Sequence, residues 1–457
     1  MTPLRLLFFL RIARLDRLYP SFLETLLDRG HEIVVVVERE RPRDLAPGGG
    51  SILDDLAQRY PERFRVERLV KPADRWRHLR SALRMGVDYL RYFDPAYRDA
   101  GALRERASAR TPGRLRPLVR LFGKTAAGRR AGRRLFLFAE RAIPLSAGWR
   151  DEIARHAPDA VLVSPLVSLG SPQSNWLRAA RKLGIPTVLP VASWDNLSNK
   201  GVLKETPTLT IVWNEAQADE AVTLHAVPRG RVAVTGAHSF DHWFERAPST
   251  TRAEYAQRVG LPDDHPFFLY VCSSKFIAGD ERPFVAEWLQ HFRSRAELRD
   301  LNVVVRPHPF NAAEWGDLDL GDKRAVITPR GGEIPAGEAG RAAYFDAIHH
   351  SLGTVGLSTS VFVEAAILDR PSFTVRTDRY RATQEGTLHF GHVTGPGGVV
   401  VVAAGWDEHL DQLAEQAAEP ERHVQQARAF VDSFVRPRGR DLAAAPFAAD
   451  AVEGAAA

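Results

Sequence analysis

Three stretches of this 457-residue chain carry side chains whose types and spacing suit chemistry. The most informative is GLSTSVFVEAAILDRP, Gly356–Pro371. A glycine closes an apolar run, three hydroxyl residues follow, and a helical pattern begins. Ser358 or Thr359 is placed to cap that helix. The free N–H groups and positive dipole end of such a helix favour phosphate. Ser360 and Glu364 lie four apart and share a helix face. A diphosphate at the tip would leave a ribose beside Glu364, whose carboxylate could accept both ribose hydroxyls. The plainer alternative is an ordinary cap and a surface Glu. The apolar remainder of the helix favours the first reading, because it puts Glu364 on a mostly buried element.

In VVVRPHPF, Val303–Phe310, a buried strand ends in Arg306, and Pro307 and Pro309 stiffen the turn around His308. Arg306 suits phosphate by its fork geometry, and His308 suits hydrogen bonding or proton transfer. A solvated turn with a capping His is the alternative. In VASWDNLSNKG, Val191–Gly201, a strand runs into Trp194, Asp195, Asn196, Asn199 and Lys200. Together these suit recognition of a polar ligand, with Asp195 a candidate general base. An Asx turn competes with that reading. It is weighed against the cost of exposing Trp194 without purpose.

Weaker signals lie in Ser273-Ser274-Lys275, after an apolar run, and in the polar loop Gln384–His392. His389 and His392 have no partners at metal-ligand spacing, and Asp317 and Asp319 sit in a glycine-rich acidic loop that reads as solvated. Neither a bound metal nor a cofactor is expected. The chain has no glycine-rich Walker or dinucleotide fingerprint.

The elements that must position these residues alternate. Apolar or β-branched runs at Leu4–Leu10, Glu32–Val37, Phe64–Val70, Ala160–Ser164, Pro186–Val191, Leu209–Trp213 and Val232–Thr235 read as strands, with helical patterns between them. A second series follows at Phe267–Ser273, Leu301–Arg306, Ala325–Thr328, Leu352–Gly356 and Ser372–Val375, with a closing helix at Glu421–Val435. Alternation of this kind predicts an α/β class of parallel, doubly wound sheets. The expected organisation is a first lobe over 1–245 with a basic helical insertion at about 74–147. A second lobe covers 246–440, and a small-residue tail over 441–457 is expected to be disordered. Two such lobes predict a ligand cleft between them, at the carboxyl ends of the strands.

Composition sets the outer limits. Hydrophobic residues make up 44% and charged residues 26%, as in globular proteins. No stretch approaches the ~20 apolar residues of a membrane span. The opening MTPLRLLFFLRIARLDR reads as a strand rather than a signal peptide, because charges return at once and no small-residue cleavage site follows. The single cysteine, Cys272, excludes an internal disulfide and reads as a buried thiol. The cytoplasm is the expected compartment.

The net charge of +6 is uneven. From Arg104 to Arg150, twelve Arg and Lys124 face only Glu105 and Glu140, a local charge of +11. Leu115, Leu118, Val119 and Phe122 form a helical stripe among Arg114, Arg116 and Arg120. Leu135–Phe138 adds a second apolar patch beside Arg133 and Arg134. This pattern fits the inner face of an anionic membrane. The alternative is a face packed on the first lobe. Nucleic acid is not expected, because no nucleic-acid-binding module accompanies the charge.

RPHPF, YFDAIHHS, VGLSTSVFVEAAILDRPSFTV, GTLHFGH and FVRPRG resemble the C-terminal half of bacterial CDP-glycerol glycerophosphotransferase-like and capsule polysaccharide synthesis proteins. SFLETLLDRGHEIVVVVE resembles the acceptor lobe of GT-B transferases, and also the UDP-N-acetylglucosamine 2-epimerase fold. The resemblance implies two Rossmann-like lobes facing a central cleft, the GT-B arrangement. It further implies transfer of a sugar or glycerol phosphate from a nucleotide-linked donor to a cell-envelope glycan or lipid-linked acceptor. A nucleotide-sugar epimerase or hydrolase is the alternative enzyme; a non-catalytic glycan-assembly partner is a third reading.

The resemblance assigns the donor to Arg306, Ser358, Thr359, Ser360 and Glu364, with His308 beside it. It gives no secure counterpart for the catalytic base, for which Asp195 and His31 are the candidates. Trp194, Asn196, Lys200, Ser274 and His389 are expected to line the cleft.

Overall fold

A computed structural model describes residues 2–38, 52–70, 72–309, 311–331, 335 and 337–457. The chain divides into two compact units. One is Met1–His242 with Ser433–Ala457; the other is Trp243–Asp432.

The first unit is built on seven parallel strands: β1 Arg5–Leu10, β2 Glu32–Val37, β3 Phe64–Arg68, β4 Ala160–Ser164, β5 Thr187–Pro190, β6 Leu209–Val212 and β7 Val232–Val234. Their order is β3-β2-β1-β4-β5-β6-β7. β1 shows why the sequence settles here. Leu6 to Leu10 are all buried, and alternate side chains enter opposite layers. Leu6, Phe8 and Leu10 pack with helix α1, Pro20–Asp28, through Phe22, Leu23, Leu26 and Leu27. Leu7 and Phe9 pack on the other face, where Phe9 stacks on Trp176 with ring centroids 3.8 Å apart. Burying one such side chain contributes about 1.5–3 kcal/mol, so a strand buried on both faces is firmly held.

The basic segment is helical. Its principal helices are α2 Arg77–Arg91, α3 Arg116–Gly123 and α4 Ala126–Ala142. Buried ion pairs and charged hydrogen bonds fasten α2. Asp88 meets the Lys204 ammonium at 2.6 Å and accepts the Gly170 and Val202 amides at 2.7 Å. Arg84 pairs with Glu140. Arg91 reaches the carbonyls of Leu197, Lys200 and Gly201.

The second unit has six parallel strands: β8 Phe267–Val271, β9 Asn302–Arg306, β10 Ala325–Ile327, β11 Thr354–Val355, β12 Ser372–Val375 and β13 Val400–Ala403. Their order is β10-β9-β8-β11-β12-β13. Four helices matter below: α5 Arg282–Ser294, α6 Gly337–His349, α7 Val361–Ile367 and α8 Trp406–Ala418. β13 and α8 are additions to the elements expected from sequence.

The C-terminal segment corrects the expectation of a disordered tail. Ala444–Ala456 forms helix α9, which belongs to the first unit. Ala448, Ala449 and Val452 enter the core beside α1. The Ala444 and Ala445 amides donate to Asp241 at 2.9 and 2.8 Å, and Glu453 meets His31 at 2.9 Å. Gly236 makes this fit possible. Its φ is +97°, and a Cβ there would lie 2.8 Å from the Ala444 Cβ. The second unit accordingly spans 243–432 rather than 246–440.

Candidate functional site

In an open parallel sheet, ligands bind outside the carboxyl ends of the strands where the strand order reverses. In the second unit that point lies between β8 and β11. Gly356, just after β11, approaches β8 so closely that a Cβ would meet the Val271 carbonyl oxygen at 2.6 Å. The loops leaving the two strands are joined: the Ser358 amide donates to Ser273 Oγ at 3.4 Å. Asn311, beyond β9, donates through Nδ2 to the Ser273 carbonyl at 3.2 Å.

Glu281, at the start of α5, braces the same loop from beneath. It accepts the Ser273 amide at 2.6 Å and the Tyr270 hydroxyl at 3.0 Å. Burial pushes its carboxyl up to about 7, against the pull of these two donors. Gln384 is a second brace, buried and donating to the Leu357 carbonyl, Thr374 Oγ1 and the Val375 carbonyl. It therefore belongs to the scaffold of its loop.

Three side chains meet beside this scaffold. The Arg306 guanidinium, at the end of β9, lies over the Tyr344 ring on α6, 4.5 Å from its centroid. The Tyr344 hydroxyl donates to Glu364 Oε2 on α7. Arg306 and Glu364, both singled out in the sequence, are thus linked through Tyr344, which was not. Its signal was its place in YFDAIHHS. Trp243 packs edge-on against Tyr344, with centroids 5.6 Å apart, and holds the ring in place.

The hydroxyl residues differ from expectation. Ser360, rather than Ser358 or Thr359, stands at the cap position of α7, and its side chain makes no cap bond. Thr359 Oγ1 accepts the Val361 amide at 3.4 Å, while Ser358 is buried against Ser273. His308 is half-buried in its turn, where its carbonyl accepts the Asn311 amide at 2.8 Å. Ser274 is half-buried, with its carbonyl accepting the Ile277 and Ala278 amides. His389 is buried just before a short helix. Among the described residues, no group of three or more His, Cys, Asp or Glu side chains gathers as metal ligands.

Set beside solved structures, the whole chain aligns with several enzymes. UDP-GlcNAc 2-epimerase from Neisseria meningitidis, bound to UDP-GlcNAc, is 12% identical with a TM-score of 0.55, covering 99% of this chain and 100% of that one. A glycosyltransferase from Rickettsia africae is 7% identical with a TM-score of 0.54, covering 100% and 99%. MnaA of S. aureus, solved with UDP, is 12% identical with a TM-score of 0.53, covering 98% and 94%. The fold is GT-B. No family model and no curated protein matches the sequence.

Within this GT-B chain the remaining candidates belong to the first unit. Asp195 meets Lys200 at 2.6 Å and accepts Asn196 Nδ2 at 3.1 Å, so its carboxylate is oriented by two neighbours. Trp194 is buried rather than displayed, which removes the cost of exposure as an argument for a ligand there. His31 is buried between the Leu4 amide and Glu453, a structural tie of α9 rather than an accessible base.

Sequence reasoning missed a constellation at the first unit's own switch point, between β1 and β4. Arg11 follows β1 and pairs with Glu38, which follows β2, at 3.0 Å. Glu38 also accepts Trp176 Nε1 at 2.9 Å. Burial raises its carboxyl against the opposing pull of Arg11. The available signal was a carboxylate closing the run EIVVVV.

Proposed function

We propose that the chain is a transferase moving a sugar or glycerol phosphate from a nucleotide-linked donor to a cell-envelope glycan or lipid-linked acceptor. The Arg306–Tyr344–Glu364 arrangement carries this reading. A guanidinium fork matches two phosphate oxygens, and a carboxylate accepts ribose hydroxyls. Tyr344 restrains both groups before any ligand arrives, so less ordering is left to binding. Solved structures of the same fold that hold UDP-GlcNAc and UDP support a nucleotide as the ligand.

In the proposed reaction the acceptor oxygen attacks the transferred group and the acceptor proton passes to a base; a sugar leaves a nucleoside diphosphate behind, whereas glycerol phosphate breaks the P–O–P bridge and leaves a nucleoside monophosphate. Arg306 meets charge as it develops on the phosphate oxygens of the leaving nucleotide. Asp195, oriented by Lys200 and Asn196, is the proposed base, and His308 the proposed hydrogen-bonding partner on the donor side. Ser358, Thr359 and Ser360 line the donor loop. The reaction is proposed to need no bound divalent ion, because a guanidinium supplies the positive charge.

A GT-B enzyme can also act on its nucleotide sugar alone, as the Neisseria structure's name indicates. Incubation with UDP- and CDP-linked donors, with and without an undecaprenyl-linked acceptor, separates the readings. Product that requires the acceptor supports transfer. Product from donor alone identifies an epimerase or hydrolase. Nucleotide binding without turnover under either condition identifies a non-catalytic partner.

A further inference from the structure

Two sets of basic residues stand out in this segment, apart from Arg129 and Arg141, which pair with Asp94 and Glu205, and Arg120, which donates to the Tyr89 hydroxyl. One set is spent inside the fold on backbone carbonyls. Arg104 donates to Tyr92 and Tyr97, Arg106 to Asn199, Arg116 to Thr111, and Arg133 to His225. These residues hold the helical insertion together and are unavailable to a partner.

The second set flanks the two ends of α3, at Arg114 and Lys124, and lies on the outer side of α4, at Arg130 and Arg134. Both helices rest on α2 and on each other, and close contacts identify their inner sides. A Cβ on Gly123 would meet the Phe93 ring at 2.5 Å. One on Gly132 would meet Phe122 at 2.7 Å and Leu90 at 3.0 Å. Phe136 packs against Gly86 of α2. The outer sides carry large apolar residues in water: Leu118 is 37% exposed, Leu121 60%, Leu135 49% and Phe138 73%. Most of the chain's large apolar side chains are buried, so four exposed ones on two adjoining helices make a patch rather than scatter.

Arg114, Lys124, Arg130 and Arg134 are exposed around this patch, and their side chains make no ion pair or hydrogen bond to a described residue. The one acid of these two helices, Glu140, is buried against Arg84 and Arg178. Among the described residues the outer sides of these two helices therefore carry cations and apolar residues without an acid of their own, the half-exposed Asp94 being paired with Arg129 at 3.8 Å.

We infer that the outer face of α3 and α4 is a docking surface for an anionic phospholipid bilayer. The argument is charge and polarity complementarity. Lipid headgroups supply a dense negative surface for the four cations, and the acyl boundary just below accepts Leu121 and Phe138. A nucleic acid or acidic protein would satisfy the cations but offer nothing to the leucines and phenylalanine. Each cation brought to an anionic bilayer strengthens binding about five-fold, and salt screens the effect. This inference rests on the first unit alone and stands apart from the nucleotide reading.

Vesicle co-sedimentation of the full chain tests it. Equal mixtures of phosphatidylglycerol and phosphatidylcholine are compared with phosphatidylcholine alone, and heparin beads serve as a lipid-free polyanion. Two variants separate the contributions: R114Q/K124Q/R130Q/R134Q removes charge, and L121S/F138S removes the apolar side chains. All altered positions are exposed, so thermal melting should match the parent and serves as the folding control. Binding to the anionic vesicles is expected, with loss in about 0.5 M salt. The charge variant is expected to bind at least ~10-fold more weakly, because each of its four cations contributes several-fold. The apolar variant is expected to lose vesicle binding while keeping any affinity for heparin. No sedimentation, or equal sedimentation with neutral vesicles, would overturn the inference. Retention of full vesicle binding by L121S/F138S would also overturn it, pointing to a polyanion partner instead.

Discussion

Glu281→Gln isolates the brace beneath the donor loop. Glu281 is buried, and its carboxyl is pushed from an ordinary 4.5 up to about 7. The folded state therefore holds this proton more tightly than the unfolded chain does. Stability from this group is fully present below about pH 4.5 and is lost as pH rises toward 7. A shift of about 2.5 units corresponds to roughly 3 kcal/mol at full ionisation.

Glutamine can keep both hydrogen bonds. Its Oε1 accepts the Ser273 amide, and its Nε2 can donate to Tyr270 once that hydroxyl reverses its role. The substitution loses only the extra strength of a charged acceptor, about 1 kcal/mol. Urea unfolding of the parent and E281Q at pH 5 and pH 8 measures the balance. E281Q is expected to be more stable than the parent by about 2 kcal/mol at pH 8, with little difference at pH 5. A variant destabilised at both pH values, or one with the parent's pH dependence, would refute the burial argument for Glu281.

Lys204→Met should cost roughly 3–5 kcal/mol in the same assay, because it leaves Asp88 buried without its cation. D88N/K204M should recover part of that loss, since the Asn oxygen still accepts a backbone amide. Truncation after residue 440 should lower the melting temperature sharply or abolish soluble folding, because α9 supplies core side chains and satisfies Asp241. A disordered tail would leave melting unchanged. Transfer activity, once found, should persist in excess EDTA; loss in chelator with recovery on adding magnesium or manganese would contradict the metal-independent proposal.

Strands were the most legible elements. β2 and β12 match their expected limits because β-branched runs buried on both faces leave no competing pattern. The β-branched run VVVA of β13 went unread, and its two middle residues are only half-buried. The tail was misjudged for a physical reason. Alanine favours a helix, but a small-residue helix is stable only where other elements approach closely, and its partners Arg29, His31 and Asp241 are remote in sequence.

The candidate site was legible in part for the same reason. Arg306 and Glu364 end or follow strands and could be read locally, whereas Tyr344 acquires its role only when α6 crosses between them. Glu281 lies eight residues from Ser273, but between Asp280 and Arg282 nothing local marks its carboxylate as buried. Trp194 misled in the opposite direction. A large aromatic in a polar stretch looked displayed, but the fold buries it.

Isothermal titration of UDP and CDP into the parent, R306Q and E364Q tests the donor site most directly. At least one nucleotide is expected to bind the parent. E364Q should bind it about 10-fold more weakly or worse, because a charged acceptor for ribose hydroxyls is lost, and R306Q should lose a comparable amount at the phosphates. Unchanged melting temperatures would show that both variants remain folded. Equal affinity in all three proteins, or no nucleotide binding by the parent, would contradict a nucleotide site built on Arg306, Tyr344 and Glu364.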